Sequence, residues 1–301
     1  MNGIRRAVSA SVCVLAVTAC QPSSADAALI VGGPTAMARE ARFQLALADS
    51  SADLGAEPIA EWRLPHALQE ISGLALTPDG RLLAHDDELG AIWEVDYRRG
   101  VIVKRFELGA GVVKADFEGL TVVKDALYLL AANGKLYEFH EGANGARVKY
   151  TVHDTKLTKE CEFEGIAFDP AINALLLACK NVHTKGLRDQ LVIYRWSLSD
   201  TTDARVTRLT VPLAGIIGPN GWKTLNPTDI TVDPLTGNYI LIAALEKAIL
   251  SITPDGAVVF ARPLPAAHDQ AEGVAITKDG ALIVSDEARV RPANITLYRW
   301  Q

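Results

Sequence analysis

The chain has 301 residues, 49% of them hydrophobic, and a formal net charge of −6. The length allows one large domain or two ordinary ones, and the apolar share is enough for a sizeable core. The acidic balance, with no basic stripe, excludes nucleic acid as the main partner.

At the N-terminus, Arg5 and Arg6 precede an apolar run from Ala7 to Val17. That is the length of a secretory h-region and too short to span a bilayer. The run ends in Val17-Thr18-Ala19-Cys20, which resembles the lipobox of bacterial lipoproteins. Residues 1–19 are therefore read as a lipoprotein-type signal peptide and Cys20 as the lipidated residue. This reading anchors the protein to a membrane through its N-terminal lipid, in the cell envelope and facing the periplasm. Gln21 is not the aspartate that accompanies inner-membrane retention, so the resemblance favours the outer membrane. The alternative is cleavage after Ala25-Asp26-Ala27, which would release a soluble periplasmic protein.

Residues 20–57 are rich in Ala, Ser, Asp and Gly and read as a largely flexible tether with a short helix from Ala36 to Leu47. Of the four cysteines only Cys161 and Cys179 fall in the body. An oxidising compartment permits a disulfide between them, although the strand layout does not place them clearly opposite one another.

From Pro58 to the C-terminus the texture is short apolar strands separated by turns, the pattern of an all-β fold. Five segments in this region align: Glu70-Ile-Ser-Gly-Leu-Ala-Leu, Asp116-Phe-Glu-Gly-Leu-Thr-Val, Glu162-Phe-Glu-Gly-Ile-Ala-Phe, Asn226-Pro-Thr-Asp-Ile-Thr-Val and Gln270-Ala-Glu-Gly-Val-Ala-Ile. Their fourth positions, Gly73, Gly119, Gly165, Asp229 and Gly273, are spaced by 46, 46, 64 and 44 residues. Extra loop residues in Asn181 to Gln190 and Ala214 to Leu225 account for the long interval. Each segment is followed by a turn, a second apolar strand, a third strand such as Ile193-Tyr-Arg-Trp or Leu297-Tyr-Arg-Trp, and in four repeats a fourth strand. Repeated four-stranded units of this length predict a five-bladed β-propeller of antiparallel blades over residues 58–301. The last repeat lacks its fourth strand, and Ile59 to Pro65, around Trp62, is expected to complete that blade and close the ring. A β-sandwich would not explain why glycine and aromatic positions recur in the same order.

In a propeller the first strand of each blade lies beside the central channel. The position before the glycine holds Ser72, Glu118, Glu164, Thr228 and Glu272; two residues earlier stand Glu70, Asp116, Glu162, Asn226 and Gln270. Second strands return to the same mouth and add Asp86, Asp87, Asn133, Asn181, Glu246, Asp286 and Glu287. Carboxylates crowded around one opening repel and take up either protons or cations. A hard divalent ion suits the set, and Ca²⁺ tolerates an irregular ring better than Mg²⁺. The candidate metal ligands are Glu118, Glu164, Glu272, Asp229 and Asn226, with Glu70, Asp86, Asp87, Glu162 and Asp286 as further mouth residues. The alternative is a solvated rim inherited with the repeat. His85, at a strand end beside Asp86, is the first residue to test as a general base.

The Phe-Glu-Gly-Leu/Ile repeats, Asn226-Pro-Thr-Asp-Ile and Gln270-Ala-Glu-Gly-Val-Ala resemble the SdiA-regulated (YjiK-like) family of exported bacterial proteins over about residues 58 to 300. The resemblance implies a five-bladed propeller related to NHL-repeat proteins, with a calcium site and no established reaction. Ser72 and Thr228-Asp229 depart from the Glu-Gly pattern, which makes any ion site asymmetric. The sequence has no Gly-x-Ser-x-Gly, phosphate loop, Cys-x-x-Cys or His-Glu-x-x-His. The expected function is binding of a small molecule or an envelope protein at the mouth. The alternative is a Ca²⁺-dependent hydrolase of lactones, esters or phosphomonoesters.

Overall fold

The computed structural model describes residues 34–49, 57–265 and 268–300; the expected signal peptide and Cys20 lie outside them. The protein is a five-bladed β-propeller of small antiparallel sheets. The chain enters through β1 (Ala60–Arg63). The first blade follows as β2 (Ile71–Leu76), β3 (Leu82–Asp86), β4 (Ala91–Asp96) and β5 (Val101–Leu108). The second blade is β6 (Phe117–Val123), β7 (Ala126–Ala131), β8 (Lys135–His140) and β10 (Tyr150–Asp154). The two-residue β9 (Arg147–Val148) departs from it to pair in parallel with β5. The third blade is β11 (Cys161–Asp169), β12 (Ala174–Val182), β13 (Gln190–Ser197) and β14 (Val206–Pro212). The fourth is β15 (Asp229–Val232), β16 (Tyr239–Ala243), β17 (Ala248–Ile252) and β18 (Val258–Pro263). The fifth is β19 (Ala271–Ile276), β20 (Ala281–Asp286) and β21 (Asn294–Arg299).

β1 pairs antiparallel with β21, from Ala60 opposite Leu297 to Arg63 opposite Asn294. The last blade thus takes its outer strand from the start of the domain, as the sequence predicts, and the ring has no open end. Trp62 sits behind this joint and donates its indole N–H to the Tyr97 carbonyl at 2.7 Å. Gly100 lies under the indole at φ 67°, and a Cβ there would stand 2.5 Å from the ring, so only glycine meets both demands.

Second strands are buried on both faces because each blade is sandwiched between two others. β3 and β16, for instance, are buried at every residue. Adjacent blades meet in separate apolar clusters, such as Ala167, Ile193, Ile230 and Leu241 between the third and fourth. The long third interval holds a 3₁₀ turn at Lys185–Leu187 and a helix at Ala214–Asn220, with no sixth blade among the described residues.

The helix expected at Ala36–Leu47 is α1 (Pro34–Ala48). Ala36 and Phe43 are buried, and Leu47 packs against the same apolar cluster as Phe43. These positions fall at helical spacing on one stripe. Phe43 meets Tyr97 edge-on at 6.0 Å, and Glu40 pairs with Arg99 at 2.8 Å. Over this stretch the presumed tether is docked on the propeller, because the stripe finds an apolar seat beside the closing strand.

Candidate functional site

The innermost strands carry the glycine column, and this column closes the channel. A Cβ on Gly119 would lie 2.9 Å from the Ile166 nitrogen; one on Gly165, at φ 88°, would lie 2.7 Å from the Asp229 Cα. Neighbouring blades touch through backbone here, at a bulge that shifts the inner ladder of blades one, two, three and five. The position that breaks the column, Asp229, is fully buried. Its Oδ1 accepts the Ile230 N–H and its Oδ2 accepts the Val274 N–H, both at 2.8 Å. Burial pushes its carboxyl well above the usual range. Inner strands have one edge without a ladder partner, and this carboxylate satisfies amides on that edge. Its oxygens therefore serve the waist of the channel and do not point into the mouth above.

Above the waist lies an acidic mouth of about 180 Å³. Glu118, Glu164 and Glu272 line it from the inner strands, as the column alignment predicts, together with Glu70, Asp87 and Glu287. Two cations face the six carboxylates, Lys180 and Arg289. Lys180 is ion-paired with Glu164, and Gln270 donates its amide to Glu272. Glu164 is 4% exposed, and its second oxygen, Oε2, is buried with no hydrogen-bond partner.

Crowding and burial shift these groups together. Burial, then Glu164 and Asp116, raise Glu118 to about 9. Burial and Glu272 raise Glu164 to about 8, against the pull of Lys180. Glu272 is raised to about 7 and Asp87 to about 6, with burial the main cause in both. Glu287 reaches about 7 through burial and Glu70. Lys180 moves up, because burial opposes its charge less than Glu164 and the adjacent carboxylates favour it. A mouth of this kind stores protons or holds positive charge.

Other expected members stand apart. Asn226 donates its amide to the Lys180 carbonyl at 3.2 Å and lines a neighbouring cleft of about 570 Å³ under the blade-three insertion. Glu162 accepts the Asn181 amide at 2.8 Å. Asp86 caps the Glu88 and Leu89 amides, and Asp286 holds the buried His268 at 2.6 Å. His85 is not on the mouth surface: it is fully buried against Gly73, and burial lowers it to about 4. Lys180 had a legible signal. It aligns with Asp87 and Glu287, both expected at the mouth, and is the cation of that set.

The disulfide joins Cys161 to Cys179 with Cα atoms 5.7 Å apart. It ties β11 to β12, the hairpin that carries both Glu164 and Lys180.

As donors, Glu118, Glu164 and Glu272 fit a hard cation in charge and element, and Glu164 Oε2 is an oxygen in need of a partner. As a cage they are not closed. Among the described residues no three His, Cys, Asp or Glu side chains stand together at ligating reach, and the Lys180 ammonium holds one oxygen of Glu164.

Comparison with protein-family profiles and with curated protein sequences finds no match. Solved structures match the fold. A glutaminyl cyclase from Myxococcus xanthus aligns at TM-score 0.56 and 12% identity over 80% of this chain and 94% of that one. The PQQ-bound aldose sugar dehydrogenase from Streptomyces coelicolor aligns at 0.52 and 13% over 82% and 99%. A luciferin-regenerating enzyme aligns at 0.50 and 9% over 81% and 95%. At these identities the likeness is one of β-propeller architecture. No helix among the described residues is long and apolar enough to cross a membrane.

Proposed function

We propose that this propeller is an envelope lipoprotein of the SdiA-regulated type, anchored through Cys20, whose acidic mouth binds Ca²⁺ and with it a ligand or envelope partner. The observation that carries the reading is the unbalanced mouth: six carboxylates against two cations, with a buried Glu164 oxygen left without a partner. Glu118, Glu164 and Glu272 hold the ion. Lys180 is the built-in counter-charge that the ion displaces from Glu164, and Arg289 remains at the rim. Without the ion the same carboxylates stay partly protonated, which is the other way to relieve repulsion.

The test is thermal melting of metal-free protein with and without added Ca²⁺. An ion that binds only the folded state raises Tm. A Tm unmoved by Ca²⁺, with Glu164→Gln behaving as the parent, makes the mouth a solvated rim.

A hydrolytic reading of the same mouth draws on the raised pKa values of Glu118 and Glu164, near 9 and 8, which suit proton transfer at neutral pH. His85 cannot supply the base from its buried place. Turnover of a lactone, aryl ester or phosphomonoester that a chelator abolishes would convert the binding mouth into an active site.

A further inference from the structure

On the face opposite the acidic mouth, the inner strands open into a funnel of about 640 Å³. Its wall repeats one position of the sequence motif, the third residue after the glycine column: Leu76, Val122, Phe168, Val232 and Ile276. The glycine and Asp229 waist separates it from the carboxylates, so the two ends of the channel have opposite chemistry. The size lies within the roughly 300–1,000 Å³ usual for small-molecule pockets. The wall is mainly apolar, with Thr121 and Thr231 among its few hydroxyls, so polar solutes such as sugars recover little of the hydration they lose there.

The rim supplies the second half of the recognition. Asp279 is paired with Arg98 at 3.3 Å, and Asp79 shares Arg81, at 2.9 Å, with Glu94 and Glu141. Lys124 and Lys278 are exposed, and neither has a carboxylate within ion-pair distance among the described residues. Lys278 reaches only the Pro78 carbonyl, at 3.4 Å. The rim sets Arg98, Lys124 and Lys278 against Asp79 and Asp279, and an apolar funnel under this net positive rim matches a molecule with an alkyl body and an anionic head.

We propose that this funnel binds a single-chain anionic amphiphile, its alkyl chain on the five-residue ring and its carboxylate or phosphate head at Lys124 and Lys278. The inference is independent of metal at the other mouth.

The experiment is calorimetric titration of the full-length protein with decanoate, dodecanoate and dodecyl phosphate below their micellar concentrations. One molecule binds per chain, and affinity rises by about fourfold per methylene as chain length increases. Comparison of dodecanoate with dodecyl phosphate distinguishes a fatty-acid head from a phosphate one. Dodecyltrimethylammonium binds at least about tenfold more weakly, and Lys124→Glu with Lys278→Glu weakens dodecanoate by about tenfold. Val232→Arg fills the funnel and abolishes binding; should it fail to fold, the two surface substitutions carry the test. Lys149→Glu, an exposed charge reversal outside the funnel lining, leaves dodecanoate binding unchanged. Absence of saturable binding by both anionic probes overturns the proposal. So does equal binding of the cationic amphiphile, or indifference to the Lys124 and Lys278 substitutions in a folded protein.

Discussion

Asp229 of the fourth blade accepts the backbone N–H of Val274 in the fifth at 2.8 Å, across the waist where the other four blades place glycine. One carboxylate thereby holds two blades in register and serves an inner edge that has no ladder partner.

Removing that carboxylate leaves buried amides without acceptors. Asp229→Ala is expected to lose about 2–3 kcal/mol, the cost of leaving the buried Ile230 and Val274 amides without acceptors. Asp229→Asn keeps one acceptor and loses less. Urea unfolding checks the order, and an Asp229→Ala variant as stable as the parent would remove the structural role.

The ring depends on its closing strand. Deleting residues 57–63 strips β1 from β21 and exposes a buried edge, and the expected outcome is aggregation or a large fall in Tm. Trp62→Ala, which keeps the strand, costs about 3 kcal/mol by the usual scale for large aromatic truncations. Size-exclusion chromatography with thermal melting separates the two effects.

Reduction of Cys161–Cys179 opens a short loop, with a sequence separation of 18. Loops of this size are worth about 3 kcal/mol in the unfolded chain. Cys161→Ser with Cys179→Ser is expected to lower Tm and, because this hairpin carries Glu164 and Lys180, to weaken any cation binding as well. Unaltered Tm after complete reduction would contradict the first part.

The mouth predicts a pH dependence of definite sign. Glu118, Glu164 and Glu272 are raised from 4.5 to about 9, 8 and 7. Groups whose folded pKa lies above the unfolded value stabilise the fold below the unfolded pKa, and the benefit fades as pH rises through the folded pKa. In chelator, stability should therefore fall between pH 4.5 and about 9, each such group tilting it by up to about 1.4 kcal/mol per pH unit. Glu118→Gln, neutral throughout, flattens the slope. Melting curves across that range check it; a slope of the opposite sign would show that the mouth is ionised and otherwise stabilised.

Much of the fold is legible in the sequence because a propeller repeats its local decisions. The glycine column, the turns at Pro78-Asp79-Gly80 and Lys278-Asp279-Gly280 and the third-strand aromatics each recur at a fixed offset. Closure through Trp62 follows from one missing strand and one spare. The site is legible only as far as alignment reaches. Glu118, Glu164 and Glu272 share a column and come together. Asp229 shares the glycine's position and not the glutamates', so its carboxylate falls to the waist. Asn226 turns aside because its amide finds the Lys180 carbonyl. His85 is taken inward by the packing behind Gly73, and the docking of α1 depends on a seat made by Tyr97 that no local pattern displays. Each of these outcomes is decided by tertiary partners.

The most direct measurement is calorimetric titration of Ca²⁺ into metal-free protein, beside Glu164→Gln and Lys180→Met. The account predicts saturable binding in the parent and at least tenfold weaker binding in Glu164→Gln. Lys180→Met, freed of the competing ammonium, should bind about tenfold more tightly, the equivalent of roughly 1.4 kcal/mol. Absence of binding in the parent, or binding indifferent to both substitutions, would contradict it.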